Sequence, residues 1–279
     1  MNKDQVRMML TQQWPDWEIK NIEVLSTKGW DFITFKLDGQ WVARVARNAW
    51  QRRKQCFEAK MLAKIQQRVN LPLEIPVYQR ADGAVGVYTF IPGKSLDQVK
   101  GRNDRILGQK IGQFLYLWHS QATSSIVHGD AVGHAQERWQ RLWKRTYGRA
   151  QDNVWPILGV KEARQFDRWM EDLLYISGQC TPVLLHGDLA LSNILYDEGK
   201  ITGIIDFTDM TVGDAAYDFV GLQSLAEGVR DCYPNAPDRE RVALYRWGGI
   251  LRGTLSALTR GDVESVERGI NLLRRGVVE

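Results

Sequence analysis

Hydrophobic and polar positions alternate along the first third of the chain in the manner of β-strands. The strand-like runs are residues 30–37, 40–46, 77–79 and 85–90. Asp38-Gly39 joins the first two runs and is typical of a hairpin turn, and Asp82-Gly83 lies between the last two. Apolar residues recur at helical spacing only between 51 and 68. The pattern predicts a mostly β N-terminal region with one helix.

After residue 93 the periodicity becomes helical. Three amphipathic segments are predicted at 104–120, 137–155 and 161–176, and helix returns from residue 214 apart from a loop at 233–237. A short β-rich stretch at 182–207 interrupts the helices. We therefore predict an α+β fold with a β-rich lobe at 1–93, a Pro-Gly hinge at its end, and a mostly helical lobe at 94–279.

Composition excludes several classes of protein. With 279 residues, 44% hydrophobic and 25% charged, the chain is an ordinary globular protein. No apolar run approaches the roughly 20 residues of a spanning helix, and the N-terminus lacks the apolar stretch of a secretory signal. The three cysteines lie far apart, which is typical of reduced thiols. We expect a cytoplasmic monomer without a membrane partner.

Charge is distributed unevenly along the chain. Residues 1–93 carry 14 Lys and Arg against 9 Asp and Glu, a net charge of +5, whereas the remainder carries −1. This asymmetry is too small for a nucleic-acid-binding protein. The basic run at 52–54 is interpreted as a solvated helix face. The 11 tryptophans are either core residues or the lining of a pocket.

The chemistry-bearing residues lie in the β-rich stretch. Residues 193–197 and 200–206 read as two strands around a Glu198-Gly199 turn, so a hairpin would bring Asn193 and Asp206 to its open end. His186-Gly187-Asp188 comes just before that end. Two oxygen ligands suit Mg²⁺, which also takes waters and substrate phosphates. Asp188 is then placed to accept a proton from a hydroxyl, as phosphoryl transfer requires.

Two simpler readings accompany this prediction. Asp and Asn beside a hairpin are common turn and cap residues, although the combined spacing favours catalysis. The tripeptide also recurs at His128-Gly129-Asp130, but Ala135 stands where the second motif has its Asn. We interpret this second copy as a loop between helices.

The spacing Asp-x-x-x-x-Asn followed by an apolar-flanked Asp is that of the catalytic loop and metal-binding Asp of protein kinases. The His-Gly-Asp start, and the run from Asp209 to Phe219, instead resemble the aminoglycoside phosphotransferase family, whose relatives include choline and macrolide kinases. The resemblance covers nearly the whole chain and is sharpest at 184–219. It implies a protein-kinase-like two-lobe fold and an Mg²⁺-dependent enzyme that uses ATP or GTP.

The resemblance also implies a nucleotide site in the first lobe. Ser26 and Gly29 lie in the segment where a phosphate-covering loop belongs, although an ordinary hairpin turn would look the same. Arg44, with Arg47 as second choice, matches the phosphate-binding Lys of kinases, and Glu58 matches its acidic partner. The predicted hinge residues that would hold the base are Tyr88, Thr89, Phe90 and Ile91. Tyr88 matches a gatekeeper position that favours GTP in some 2″-type aminoglycoside kinases, or it is a core strand residue.

The acceptor is predicted to be an aminoglycoside hydroxyl. A polycationic acceptor needs an acidic pocket, for which the acids that follow the catalytic segment are candidates, although each could equally belong to a solvated helix face: Asp209, Glu227, Asp231, Asp238 and Glu240. A macrolide kinase, with a large apolar pocket, is the alternative, followed by choline, thiamine and sugar-amine kinases. A nucleotide-binding pseudokinase is a further alternative, which the intact Asp188, Asn193 and Asp206 argue against.

Overall fold

A computed structural model gives the fold and describes residues 1–27, 31–81, 84–121 and 132–276. The helices are α1 (Lys3–Gln13), α2 (Ala49–Gln66), α3 (Asp104–His119), α4 (Val132–Asn153), α5 (Val160–Ser177), α6 (Ala216–Phe219), α7 (Ala226–Cys232), α8 (Arg239–Arg260) and α9 (Val263–Gly276). The strands are β1 (Ile22–Ser26), β2 (Phe32–Leu37), β3 (Trp41–Ala46), β4 (Tyr78–Arg80), β5 (Val85–Thr89), β6 (Lys94–Ser95), β7 (Val183–Leu185), β8 (Ile194–Asp197), β9 (Lys200–Ile204) and β10 (Thr211–Gly213). Short 3-10 helices lie at Leu96–Gln98, Trp155–Ile157, Leu191–Asn193 and Val220–Leu225. No helix within these described ranges is long and apolar enough to cross a membrane.

The N-terminal strands form an antiparallel sheet in the order β1-β2-β3-β5-β4. Leu37 pairs with Trp41 across the predicted turn, where Asp38 and Gly39 both have positive φ values, 48° and 72°. Two consecutive left-handed residues match the right-handed twist of a tight hairpin, which explains the Asp-Gly pair. The predicted hairpin is confirmed.

Helix α1 corrects the prediction of a single helix in the first third of the chain. Asn2 caps it, and the Gln5 side chain reaches back to the Asn2 backbone N–H at 2.8 Å. This reciprocal capping box satisfies donors that the first helical turn leaves unpaired. Val6 and Leu10 are buried in one cluster with core residues of the sheet, including Phe35. The Asn-x-x-Gln spacing was the available sequence signal.

The hairpin that is predicted to carry catalytic residues is formed by β8, β9 and the turn between them, is called here the catalytic hairpin, and agrees with the prediction. Ile194 pairs with Ile204, and Glu198 and Gly199 make the turn with φ values of 45° and 87°. Strand β6 pairs with β8 on the other side, giving the order β6-β8-β9. The strands are slightly shorter than predicted, because Asn193 ends a 3-10 helix and Asp206 follows β9.

The chain forms two compact units. The first contains Met1–Leu117, His186–Met210 and Glu227–Cys232, and the second contains Trp118–Leu185, Thr211–Ala226 and Tyr233–Glu279. The N-terminal sheet and the catalytic hairpin therefore belong to the same unit. The functional lobe boundary at residue 93 stays a prediction.

The second unit is built around aromatic side chains. Trp139 and Trp143 of α4 and Tyr245 of α8 are buried, and the Trp139 indole N–H donates to the Tyr245 hydroxyl at 2.9 Å. The rings of Trp139 and Trp143 meet edge to face at 5.6 Å, a favourable aromatic geometry. Trp118, which begins this unit, is also fully buried. These three tryptophans are therefore buried core residues.

Candidate active site

Asp188 and Asn193 lie side by side in the loop that precedes the catalytic hairpin. The Asn193 side-chain Nδ2 donates to the Asp188 carbonyl oxygen at 2.9 Å and to its Oδ2 at 3.2 Å. A backbone bond from Ala190 to the same carbonyl, at 3.0 Å, closes the loop. Asp188 itself is exposed. The loop thus presents a carboxylate to solvent in an orientation that an amide side chain fixes.

The buried side chain of His186 holds this loop in place through hydrogen bonds. Its ring is fully buried, its Nδ1 accepts from the Asp188 N–H at 3.3 Å, and its Nε2 donates to the Ile205 carbonyl at 3.1 Å. The acceptor role of Nδ1 leaves the proton on Nε2. The ring also packs on Phe207 with centroids 4.4 Å apart. His186 therefore links the Asp188 backbone to the segment that carries Asp206.

Gly187 explains why the motif needs glycine at its centre. Its φ is +86°, and a Cβ there would lie 2.0 Å from the Asp209 carbonyl oxygen. An L side chain is strained in this conformation and has no room, so only glycine permits the close approach. The loop before Asp188 is in this way packed directly against the chain that follows Asp206.

Asp206 lies just beyond β9 with φ +64°, a left-handed conformation that Asp tolerates better than most residues. Its Oδ1 accepts from the Thr208 hydroxyl at 2.6 Å and from Arg44 Nη1 at 3.3 Å. Burial opposes ionisation of this carboxyl, but the Arg44 charge and the Thr208 hydrogen bond outweigh it and hold its pKa below the ordinary value. The side chain remains 40% exposed, so a ligand can reach it.

Arg44 joins the N-terminal sheet to Asp206. It is 3% exposed; Nη2 pairs with the buried Glu58 carboxylate of α2 and Nη1 reaches Asp206. The guanidinium stacks on the Phe32 ring at 4.2 Å. Burial alone would lower the pKa of Arg44, but the negative charge of Glu58, together with smaller contributions that include Asp206, outweighs burial and raises the pKa above the ordinary value. The guanidinium is therefore a permanent buried positive charge between two carboxylates.

The Glu58 carboxylate accepts hydrogen bonds from two further groups besides Arg44. The Tyr78 hydroxyl donates to Glu58 Oε2 at 3.1 Å, and the Phe207 N–H donates to Oε1 at 3.2 Å. A buried carboxylate is tolerated when each oxygen has donors of this kind. Through Phe207, which follows Asp206, Glu58 also fixes the backbone of the predicted metal segment.

The predicted hinge residues lie at the end of β5 and just beyond it. The N–H groups of Thr89 and Phe90 donate to the carbonyls of Val77 and Gln40 at 3.1 and 2.8 Å. Tyr88 is buried, and its ring lies 5.2 Å from that of Tyr78, in the layer that contains Arg44. Because the N–H groups of Thr89 and Phe90 already donate to these carbonyls, Ile91 is the hinge residue whose backbone N–H would contact a base.

The structure describes only part of the predicted phosphate loop. Ser26 is exposed at the end of β1 and pairs with Thr34, whereas Gly29 lies outside the described residues, as does the second tripeptide at 128–130. Arg47, the second choice for a phosphate contact, donates to the Thr27 carbonyl at 2.7 Å. Arg44, the first choice, contacts Glu58 and Asp206.

The donor set fits magnesium. Asn193 and Asp206 offer one amide and one carboxylate, and the Ile205 N–H donates to the Asn193 carbonyl at 3.0 Å, so both residues lie at the same end of the hairpin. Within the described ranges, no three His, Cys, Asp or Glu side chains form a metal cluster. Mg²⁺ that binds together with substrate phosphates needs only a few protein ligands, and these ligands are oxygen atoms. The side chains present therefore match the predicted cation.

Three of the acids considered for an acceptor pocket have structural contacts. Asp209 pairs with Lys54, Asp231 pairs with Arg105 at 2.8 Å, and Asp238 caps α8 through the Arg241 N–H at 2.6 Å. The run at 52–54 is predicted to be a solvated helix face. This prediction holds for the exposed Arg52 and Arg53 but not for Lys54, which pairs with Asp209. Sequence reasoning missed this pair because its members are distant in the chain.

The sequence profile of the phosphotransferase enzyme family (APH) matches residues 22–258. Among solved structures, the GDP complex of wild-type aminoglycoside 2'-phosphotransferase-IIIa superposes with a TM-score of 0.83 at 21% identity, over 99% of this chain and 98% of the other. The macrolide 2'-phosphotransferase MphH from Brachybacterium faecium gives 0.76 at 18% identity, with 97% of each chain covered. The uncharacterized protein YcbJ of Bacillus subtilis (strain 168) is 39% identical over 71 residues, which span 24% of this chain and 22% of that protein.

The chain belongs to the phosphotransferase enzyme family, and it is a phosphotransferase with the kinase-like fold of that family. The predicted family, the fold class and the enzyme class are therefore confirmed. The roles of the individual site residues stay predictions, which the contacts described above make specific.

Proposed function

We propose that this protein is an Mg²⁺-dependent kinase that transfers the γ-phosphate of ATP or GTP to a hydroxyl group of an aminoglycoside. The observation that carries the proposal is the exposed Asp188 carboxylate oriented by Asn193, in the same compact unit as the Arg44–Asp206 pair. A proton acceptor, oxygen ligands and a buried cation are the parts that phosphoryl transfer uses. A nucleoside triphosphate donor also favours a cytoplasmic location.

Asp188 is the proposed general base. The acceptor hydroxyl oxygen forms a bond to the γ-phosphorus while the bond from that phosphorus to the β–γ bridging oxygen breaks, and Asp188 takes the hydroxyl proton. The nucleoside diphosphate leaves with the electrons of the broken bond. Asn193 keeps Asp188 in one orientation through its Nδ2 contacts, which reduces the cost of positioning at the moment of transfer.

Asn193 and Asp206 are the proposed ligands of the magnesium ion. When bound, Mg²⁺ neutralises the charge that develops on the transferred phosphoryl group. The depressed pKa of Asp206 keeps its carboxyl ionised and ready as a ligand throughout the neutral range. Arg44 adds a fixed positive charge beside Asp206, which offsets part of the negative charge that Glu58 and Asp206 bring to the site.

The hinge and the loop at Ser26 and Gly29 are proposed to hold the rest of the nucleotide. Thr89, Phe90 and Ile91 would contact the edge of the base through their backbone, with Ile91 as the N–H donor. Tyr88 would form the back of the base pocket, where its buried ring limits the depth available. A shallow pocket supports GTP as the preferred donor.

The aminoglycoside acceptor is supported by structural relatives. The relatives include an aminoglycoside 2'-phosphotransferase-IIIa in complex with GDP, and APH(2")-IIIa in complex with GDP and kanamycin. A macrolide acceptor is the second candidate, favoured by the TM-score of 0.76 with the macrolide 2'-phosphotransferase. The engagement of Asp231 and Asp238 in structural contacts leaves fewer acids for a polycationic acceptor.

An acceptor panel tests the proposal. The purified protein is incubated with Mg²⁺ and either ATP or GTP against kanamycin, gentamicin, erythromycin and choline, and nucleoside diphosphate release and phosphorylated product mass are measured. Turnover of an aminoglycoside is expected, and turnover of erythromycin alone would replace it with the macrolide assignment. Asp188→Asn is expected to bind nucleotide normally while losing about 10²–10⁴ in rate. Near-normal turnover of this variant would remove Asp188 as the base.

A further inference from the structure

One face of α2 contacts the segment that carries Asp206 at two points. Lys54 and Glu58 are four residues apart and lie on the same side of the helix. Glu58 accepts from the Phe207 N–H, and the Lys54 ammonium pairs with the Asp209 carboxylate. Helix α2 therefore contacts the backbone of this segment at Phe207 and a side chain of the segment at Asp209.

The segment at 206–210, called here the metal turn, is a tight turn. The Met210 N–H donates to the Phe207 carbonyl at 3.0 Å, and the Thr208 hydroxyl donates to Asp206 Oδ1 at 2.6 Å. Because these hydrogen bonds close the turn, a displacement of Asp209 is expected to displace Asp206 as well. The Asp209 carbonyl, moreover, lies against Gly187, in the loop that positions Asp188.

We propose that Lys54 and Asp209 form a positioning pair that holds the metal turn against the Asp188 loop during phosphoryl transfer. The inference rests on the proposed function, since it assigns Asp188 and Asp206 to the reaction. Asp209 contacts α2 with its side chain and Gly187 with its backbone, so it joins the two catalytic segments. Loss of the ion pair frees the turn to shift relative to Asp188, and small displacements of reacting groups are costly.

The pair acts locally and adds little to global stability. The side chains of Lys54 and Asp209 are 22% and 47% exposed, and ion pairs with that exposure are weak in water. Folding of the chain does not depend on them, because α2 is also anchored through Glu58. Variants that break the pair are therefore expected to remain folded, which makes the catalytic effect measurable.

This role differs from that of an acceptor-binding acid, which the position of Asp209 in the sequence also allows. If Asp209 bound a polycationic acceptor, its carboxylate would lower the acceptor KM. Removal of Lys54 would then leave that carboxylate free for the acceptor, and the acceptor KM would stay the same or fall. A positioning pair instead affects kcat, and removal of either partner has the same effect. The two roles therefore predict opposite consequences for Lys54→Gln.

The experiment compares Lys54→Gln, Asp209→Asn, the double variant and the charge-swapped Lys54→Asp/Asp209→Lys, with Arg52→Gln as a control on an exposed neighbour. Each single variant is expected to lose about 3- to 10-fold in kcat with KM values for nucleotide and acceptor within about twofold. The double variant is expected to be no worse than either single variant, because the pair acts as a unit. The swapped pair is expected to recover at least half of the lost rate.

Amide hydrogen exchange gives a second readout that needs no acceptor. Exchange at Phe207 and Met210 is expected to accelerate about threefold or more in both single variants and to be unchanged in Arg52→Gln, at equal melting temperature. This result would stand even if no acceptor were phosphorylated, so failure of the proposed function remains distinguishable. Unchanged exchange, additive losses in kcat, or a raised acceptor KM in Asp209→Asn alone would each overturn the positioning role.

Discussion

The backbone N–H of Asp188 donates to Nδ1 of His186, and the opposite ring nitrogen of His186 donates to the Ile205 carbonyl. A single neutral imidazole, fully buried, thus connects the loop that carries the proposed base to the residue that precedes Asp206. Both ring nitrogens make hydrogen bonds, which fix the tautomer and the orientation of the ring.

Replacing His186 by leucine is expected to lower kcat about 10- to 100-fold while leaving nucleotide affinity nearly unchanged. The leucine side chain fills the space but leaves the Asp188 N–H and the Ile205 carbonyl without their partner, so the loop loses its orientation. Steady-state kinetics and nucleotide titration measure the two quantities. His134→Leu, at an exposed position of α4, is the control. Equal losses in kcat for both variants would show a nonspecific effect.

Asp206→Ala is expected to weaken nucleotide binding in the presence of Mg²⁺ and to have a much smaller effect in EDTA. The carboxylate is one of the two proposed protein ligands of Mg²⁺, which would neutralise negative charge on the nucleotide phosphates when bound. Calorimetric titration with and without the metal separates the two affinities. Asp197→Ala, at the exposed end of β8, provides the matched control. An unchanged affinity with metal present would contradict the assignment.

Arg44→Met is expected to reduce the free energy of unfolding by about 3–5 kcal/mol, because Glu58 would remain as a buried, uncompensated charge. Arg44→Lys keeps the charge but cannot span Glu58 and Asp206 with one ammonium, so an intermediate loss of about 1–3 kcal/mol is expected. Urea unfolding followed by circular dichroism measures both. If the Lys variant matches the wild type, the planar fork of Arg44 is dispensable.

The depressed pKa of Asp206 predicts a pH dependence of stability in the metal-free protein. An unfolded Asp titrates near pH 4, and the folded carboxyl titrates below that value, so the unfolded chain binds the proton more tightly. The contribution is therefore present above about pH 4 and is lost as the pH falls through the folded pKa. The stability difference between the wild type and Asp206→Asn should shrink on acidification. A difference independent of pH would contradict the ion pair with Arg44.

Local signals made much of the fold predictable. Asp38-Gly39 and Glu198-Gly199 occupy hairpin turns whose positive φ values these residue types favour, so both hairpins followed from the sequence. Because the catalytic hairpin folds on its own turn, the approach of Asn193 to Asp206 needed no knowledge of the rest of the chain. The helical bounds were less accurate: α4 begins at Val132, five residues before its predicted start.

Contacts between distant segments were not predictable in the same way. Lys54 and Asp209 are 155 residues apart, and nothing in either neighbourhood indicates the partner. The Tyr78 hydroxyl reaches Glu58 only because β4 lies at the edge of the sheet beside β5. The role of His186 depends on the carbonyl of Ile205, a backbone group that carries no sequence signature. Sequence patterns specify local geometry and leave such tertiary partners open.

The catalytic hairpin has a consequence for how the site can be varied and labelled. Asn193 and Asp206 flank one continuous peptide, and its turn at Glu198 and Gly199 is exposed, with open space around Gly199 in the described part of the chain. Inserting one residue within β8 reverses the faces of its side chains, whereas lengthening the turn leaves the pairing register intact. The tip can therefore carry a fluorophore or an affinity tag that reports on nucleotide binding without disturbing the two oxygen donors.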